Sequence, residues 1–266
     1  MDISLVRKLE KNSRKQRQAS RWIPAISAAL ALIAWALFAS LSGLPDFILP
    51  RPVQVWDRFL RALADGSLLQ HTFVTLSEVL LGLLAGMIFA TLLGYFIAKS
   101  RMFERMISPF LVASQAVPIV AIAPLLVIWF GPGVFSKMLI CGLIVFFPVL
   151  VNTVVGLRAV PRSLYELMES LRASRWQVFR QLEIPAALPV FLGGLRIGAT
   201  LSVIGGVVGE LIGANSGLGF LINVARGQYD TPLVFVAVLT LIALALSLYG
   251  VVVLLEKRFL GWQEVH

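Results

Sequence analysis

The sequence predicts an all-α integral membrane protein of about six transmembrane helices. Three observations carry that prediction. Hydrophobic residues make up 58% of the 266-residue chain and charged residues only 14%, against about 25% charged in a soluble domain. The apolar residues fall in runs of about 20, the length that crosses a bilayer core at 1.5 Å per residue. The lysines and arginines gather on the segments that would share one side of the membrane.

Residues 1–21 hold Arg7, Lys8, Lys11, Arg14, Lys15, Arg17 and Arg21 against only Asp2 and Glu10. A basic run beside an apolar segment reads as a cytoplasmic anchor. The first span follows at 22–41. A cleaved signal peptide is the competing reading, but its charged region would be unusually long. Next comes an external connection, Gly43–His71. It opens on the turn-rich stretch Leu44–Pro52 and continues over 53–63, where Val53, Trp56, Phe59, Leu60 and Leu63 recur at helical spacing. That pattern predicts a short amphipathic helix on the membrane surface or on the bundle. Further spans are expected at 72–98, 106–130, 138–157, 187–213 and 233–255, so that the transmembrane domain covers 22–255 and a tail occupies 256–266. With the N-terminus inside, the cytoplasmic segments 1–21, 99–105, 158–183 and 256–266 carry 17 of the 23 lysines and arginines. Both termini are therefore expected in the cytoplasm.

The net charge of +9 does not point to nucleic acid, because no basic stripe with interleaved aromatics follows the N-terminal run. The single cysteine, Cys141, lies in an apolar run and reads as a small packing residue. His71 and His266 are far apart and suggest no metal cluster. A phosphate-binding loop needs Gly-Lys followed by Ser or Thr. None of the six lysines (8, 11, 15, 99, 137 and 257) follows a glycine. The chain is thus not expected to be an enzyme, nor to hydrolyse ATP by that route.

The cytoplasmic loop 158–185 is the most informative stretch. Pro161 can open a helix, Ser163 with Glu166 can form a capping box, and Glu169 and Arg172 are spaced to pair. A second helical piece, Arg175–Leu182, is expected to bury Trp176, Phe179 and Leu182, with Pro185 ending it. A helical elbow that is polar outside and apolar beneath is something a moving partner can grip. The plainer alternative is an amphipathic loop lying on the membrane.

This loop resembles the coupling loop of bacterial ABC importer permeases, which reads Glu-Ala-Ala, three residues, Gly, nine residues, then Ile-x-Leu-Pro. Here Glu166-Leu167-Met168 stands at the Glu-Ala-Ala position, Arg172 at the glycine, and Leu182-Glu183-Ile184-Pro185 at the end. Further stretches resemble the sulfonate, nitrate and taurine class of these permeases. They are Ile48–Pro52, Pro118–Gly131, Phe146–Thr153 and Gly213–Gly219, and the likeness covers roughly residues 40–260. The resemblance implies a type I ABC importer permease-like fold with a cytoplasmic coupling helix, in a bacterial inner membrane. It implies a homodimer, two cytoplasmic ABC ATPase subunits that bind ATP and Mg, and an external solute-binding protein that delivers the cargo. ATPase-coupling residues would be Glu166, Leu167, Met168, Glu169, Arg172, Ala173, Ser174, Arg175 and Trp176. The cargo classes it suggests are sulfonates, taurine, nitrate, pyrimidine vitamin precursors and riboflavin.

Ionisable groups at membrane depth need a reason. Glu78, Arg196 and Glu210 are such groups. Arg196 and Glu210 are 14 residues apart, about 21 Å along one helix, so each needs a partner on another helix, water, or a pathway to line. Glu210 reads either as a gate or as a buried structural acid. Pro118 and Pro124 break hydrogen bonds inside the third span, which reads as a kinked pathway-lining helix with Gln115, or as a simple kink. Asn152 is a candidate for substrate or interhelical contact, and Asn215, in the glycine-rich loop 215–219, for an external gate or a plain connecting turn. Two rival functions remain at this point. One is a secondary transporter or channel working alone, for which internal repeats would be expected and none is seen. The other is a membrane-embedded enzyme, for which no converging polar groups are seen.

Overall fold

The computed structural model describes residues 26–261, and every regular element among them is helical. In chain order these are α1 (Ile26–Leu41), α2 (Pro52–Ala64), α3 (Ser67–Lys99), α4 (Arg101–Gln115), α5 (Ile119–Phe130), α6 (Val134–Arg158), α7 (Arg162–Ser170), α8 (Arg175–Gln177), α9 (Ile184–Gly213), α10 (Leu218–Gly227) and α11 (Thr231–Phe259). A π-helical turn, Val178–Glu183, joins α8 to α9. The basic segment 1–21, the start of the first span and the last five residues of the tail lie outside the described residues.

Small residues decide the centre of the bundle. Without a hydrophobic driving force between them, helices in lipid associate by close backbone approach. At Gly205 on α9, a Cβ would lie 2.8 Å from the Cα of Cys141 on α6, so only glycine allows that crossing. Cys141 is fully buried there, as its expected packing role requires. Val79, Val145, Val149 and Ala199 pack around the same crossing, making α3, α6 and α9 the core. The outward faces stay apolar. No more than 44% of any spanning window in the four long helices is buried within the chain. That inversion suits hydrocarbon as solvent.

The amphipathic segment expected at 53–63 is α2. Its apolar side sets Val55 and Ala62 into the bundle. Arg58, one turn on along the same face, donates to Asp230 at 2.7 Å, and Asp230 also caps the first turn of α11 by accepting from the Leu233 N–H. One carboxylate thus ties α2 to the sixth span.

The third span departs from expectation. A single kinked helix over 106–130 is predicted, but α4 and α5 are separate helices bent by 96°. Pro118 stands at the N-cap of α5 with extended backbone, and a proline disfavours helical geometry at the preceding residue, Val117. Pro124 lies inside α5 without ending it. Pro185 is a second correction. It does not terminate a helix but sits in the first turn of α9, directly after the π turn and within one continuous helical stretch.

Candidate functional site

Three places hold the candidate residues: the helical elbow at 158–185, the break between α4 and α5, and a buried polar cluster at the α9–α10 corner.

The elbow begins at Pro161, which occupies the N-cap of α7. The expected Ser163–Glu166 capping box does not form. Glu166 instead pairs with Arg162 one turn back, at 3.3 Å. No residue of α7 is fully buried. Tyr165 and Met168 are half-buried toward the bundle, whereas Leu164, Leu167 and Leu171 are 38%, 53% and 68% exposed. The apolar stripe at i, i+3 and i+7 therefore faces outward. This corrects the expectation of a polar exterior over an apolar underside.

Arg172 explains the glycine of the resembling motif. The Arg172 N–H donates to the Glu169 carbonyl and the Ala173 N–H to the Met168 carbonyl, the paired bonds of a Schellman turn. That turn requires a left-handed residue, and Arg172 has φ 52°. A side chain there costs about 1–2 kcal/mol. No Glu169–Arg172 ion pair is present among the described residues. We predict that Arg172→Gly slows hydrogen exchange of the amides at 172 and 173 by about fivefold. Unchanged exchange would show that the turn carries no strain.

Ser174 opens α8 with the capping box expected upstream: its Oγ accepts from the Gln177 N–H, and Gln177 Oε1 accepts from the Ser174 N–H. The chain then widens into the π turn, which adds a residue and rotates the helical face. Trp176 is consequently 64% exposed rather than buried. Its ring meets Phe179, which stands edge-on to Tyr95 of α3 at 5.4 Å. Of the other candidates, Ala173 is half-buried and Arg175 exposed.

The pathway candidates do not converge. Gln115 and Pro118 flank the α4–α5 break on an exposed surface, and Pro124 is exposed on α5. Asn152 donates to the Pro148 carbonyl of its own helix and packs against Gly194. Asn215 is exposed in the turn before α10.

Glu210 lies elsewhere, fully buried. It accepts from Thr75 Oγ1 at 2.6 Å and from the Gly219 N–H at 2.6 Å. The Leu218 N–H donates to Thr75 Oγ1, and the Gly217 N–H to His71 Nδ1. Three successive amides at the start of α10 are thus satisfied by side chains from α3 and α9. Gly217 has φ 108°, which lets the chain turn tightly enough to present them. A carboxylate at a helix N-terminus is favourable electrostatically. Beside it, Glu78 accepts from Lys137 Nζ at 2.6 Å, with side chains only 1% and 5% exposed. Arg196 pairs with Glu256 of α11 and lies over the Tyr249 ring. Each intramembrane charge therefore finds a group on another helix.

Lys137 reads from sequence as an external-loop residue, and Thr75 and His71 carry no assigned role there. One signal marks them: His71, Thr75 and Glu78 recur at i, i+4 and i+7, a polar stripe on an otherwise apolar helix.

Comparison with known proteins adds family context. The profile of the family described as binding-protein-dependent transport system inner membrane component matches residues 80–261. The chain is 48% identical over 238 residues to the riboflavin transport system permease protein RibX of Chloroflexus aurantiacus, covering 90% of this chain and 89% of that one. It is 35% identical to the formylaminopyrimidine transport permease protein ThiX of Halalkalibacterium halodurans, covering 91% and 96%. It is 34% identical to the taurine transport system permease protein TauC of Escherichia coli, covering 88% and 87%.

Proposed function

This chain belongs to the binding-protein-dependent transport system inner membrane component family, as the membrane-spanning permease subunit of an ABC importer, and we propose that it works as a homodimer whose two elbows are gripped by two cytoplasmic ATPases. Membership of the family implies a partner ATPase, which binds the ATP, and a solute-binding protein. The outward stripe of Leu164, Leu167 and Leu171 carries the docking proposal. An exposed helix with anchors at i, i+3 and i+7 suits insertion into a groove of a partner. Both termini then lie in the cytoplasm with the elbow.

The α4–α5 break supports the homodimer. Residues 116–118 are irregular and exposed on this chain. Irregular backbone at membrane depth is tolerated only where protein or a water-filled cavity covers it. A second copy packed across this face, with the pathway between the copies, meets that requirement. Gln115 and Pro118 then line the pathway. Glu210 instead holds the α9–α10 corner that closes the external end.

For cargo, we propose a neutral heteroaromatic solute, with riboflavin first. The cations set within α6 and α9, Lys137 and Arg196, are both ion-paired. Neither is free to meet a sulfonate or nitrate. The relative RibX, named for riboflavin transport, is 48% identical. The test is a titration of the partner binding protein with riboflavin, a formylaminopyrimidine, taurine and nitrate. Riboflavin should bind, and taurine and nitrate should not. Selective taurine or nitrate binding would overturn the cargo proposal while leaving the permease assignment intact.

A further inference from the structure

We infer that Lys99, Glu183 and Tyr165 form the joint through which movement of the docked elbow reaches the membrane helices. The inference rests on the proposal that the ATPase grips α7, and extends it to the residues that pass the motion on.

The three residues come from three elements. Lys99 is the last residue of α3, Glu183 the last of the π turn that feeds α9, and Tyr165 sits in the middle of α7. Lys99 Nζ donates to Glu183 Oε1. The same ammonium lies 5.5 Å from the centre of the Tyr165 ring and 5.7 Å from that of Tyr95. One cation therefore holds an acid and two aromatic faces at once.

Glu183 is buried to 1% exposure, and its second oxygen is buried with no hydrogen-bond partner among the described residues. A buried carboxylate so placed depends on its cation. Burial, and then the neighbouring Glu183 carboxylate, push the Tyr165 phenol up to about 12, so the ring stays neutral and compatible with its acidic neighbour.

Alternative routes for force are few. Tyr165 and Met168 are the half-buried side chains of α7, and the backbone of α7 approaches little but the π turn. A shift of α7 therefore displaces the Tyr165 ring against Lys99. Through the Lys99–Glu183 pair it moves the ends of α3 and α9 together. These helices belong to the core trio, and Glu210 on α9 and Thr75 on α3 hold the external corner at their other ends. The joint and the external corner thus sit at opposite ends of the same two helices.

The experiment uses the complete complex with its ATPase and binding protein, in proteoliposomes. It reads both ATP hydrolysed and solute accumulated. The double variant Lys99→Met with Glu183→Gln removes the ion pair without orphaning a buried charge. Lys99→Arg keeps it. In the double variant we expect the ATPase to remain bound and active, while solute moved per ATP falls at least about fivefold. Lys99→Arg should retain the wild-type ratio. An unchanged ratio in the double variant would overturn the inference. So would a proportional loss of hydrolysis and transport, which a merely structural role would give. Failure of the wild-type chain to retain an ATPase would overturn the docking proposal itself, and the joint with it.

Discussion

Glu166→Arg is expected to leave the permease folded and inserted but to strip the ATPase from it, weakening docking by about 2–5 kcal/mol, the loss when one partner of a buried, hydrogen-bonded interfacial charge pair is removed. The structure separates the two effects. Glu166 is 64% exposed and its one ion pair, with Arg162, is 3.3 Å long and almost wholly in water. Such a surface pair contributes about 0.3–0.5 kcal/mol to a helix, so its loss does not unfold α7. What changes is the outward surface. Two adjacent arginines one turn apart replace a neutral pair beside Leu167. Leu167→Asp should have a similar effect by spoiling the apolar stripe. Affinity capture of the ATPase on each variant checks this, with yield and thermal stability of the permease as controls. Retained ATPase in both variants would remove α7 as the docking helix.

Lys137→Met is expected to lower stability by about 3–5 kcal/mol, because it leaves Glu78 as an uncompensated buried carboxylate. Both side chains of the pair are nearly free of solvent, and one oxygen of Glu78 has no hydrogen-bond partner among the described residues. The melting temperature in lipid nanodiscs should fall by on the order of 10 °C. Adding Glu78→Gln should restore most of the loss, since a neutral amide is far less costly to bury than a lone charge. A double variant as unstable as the sum of the two single ones would show that the pair is not coupled.

The contrast between these sites explains what the sequence makes legible. Spans are read from hydropathy because lipid demands continuous apolar runs, and α3, α6, α9 and α11 follow from that demand. The elbow is read from spacing: the glycine position of the resembling motif coincides with the left-handed residue of a Schellman turn, and Arg172 takes that conformation despite its side chain. Local periodicity fails where the helix changes type. The π turn at 178–183 rotates the face, so a 3.6-residue period assigns Trp176 to the wrong side. Two prolines in the third span look alike in sequence. Only Pro118 becomes a break, because Pro124 is embedded in α5, whose Ala123 and Leu126 pack into a satellite core with Ile140. The Glu78–Lys137 pair joins residues 59 apart in sequence, a contact that no local pattern encodes. It turns a residue expected outside into one buried in the bundle.

The importer account is tested most directly by reconstituted transport. Proteoliposomes would hold the chain with its ATPase, and riboflavin would be offered on the binding protein. Accumulation should require ATP on the cytoplasmic side, the ATPase and the binding protein together. Accumulation by the purified chain alone, without ATP or either partner, would contradict it.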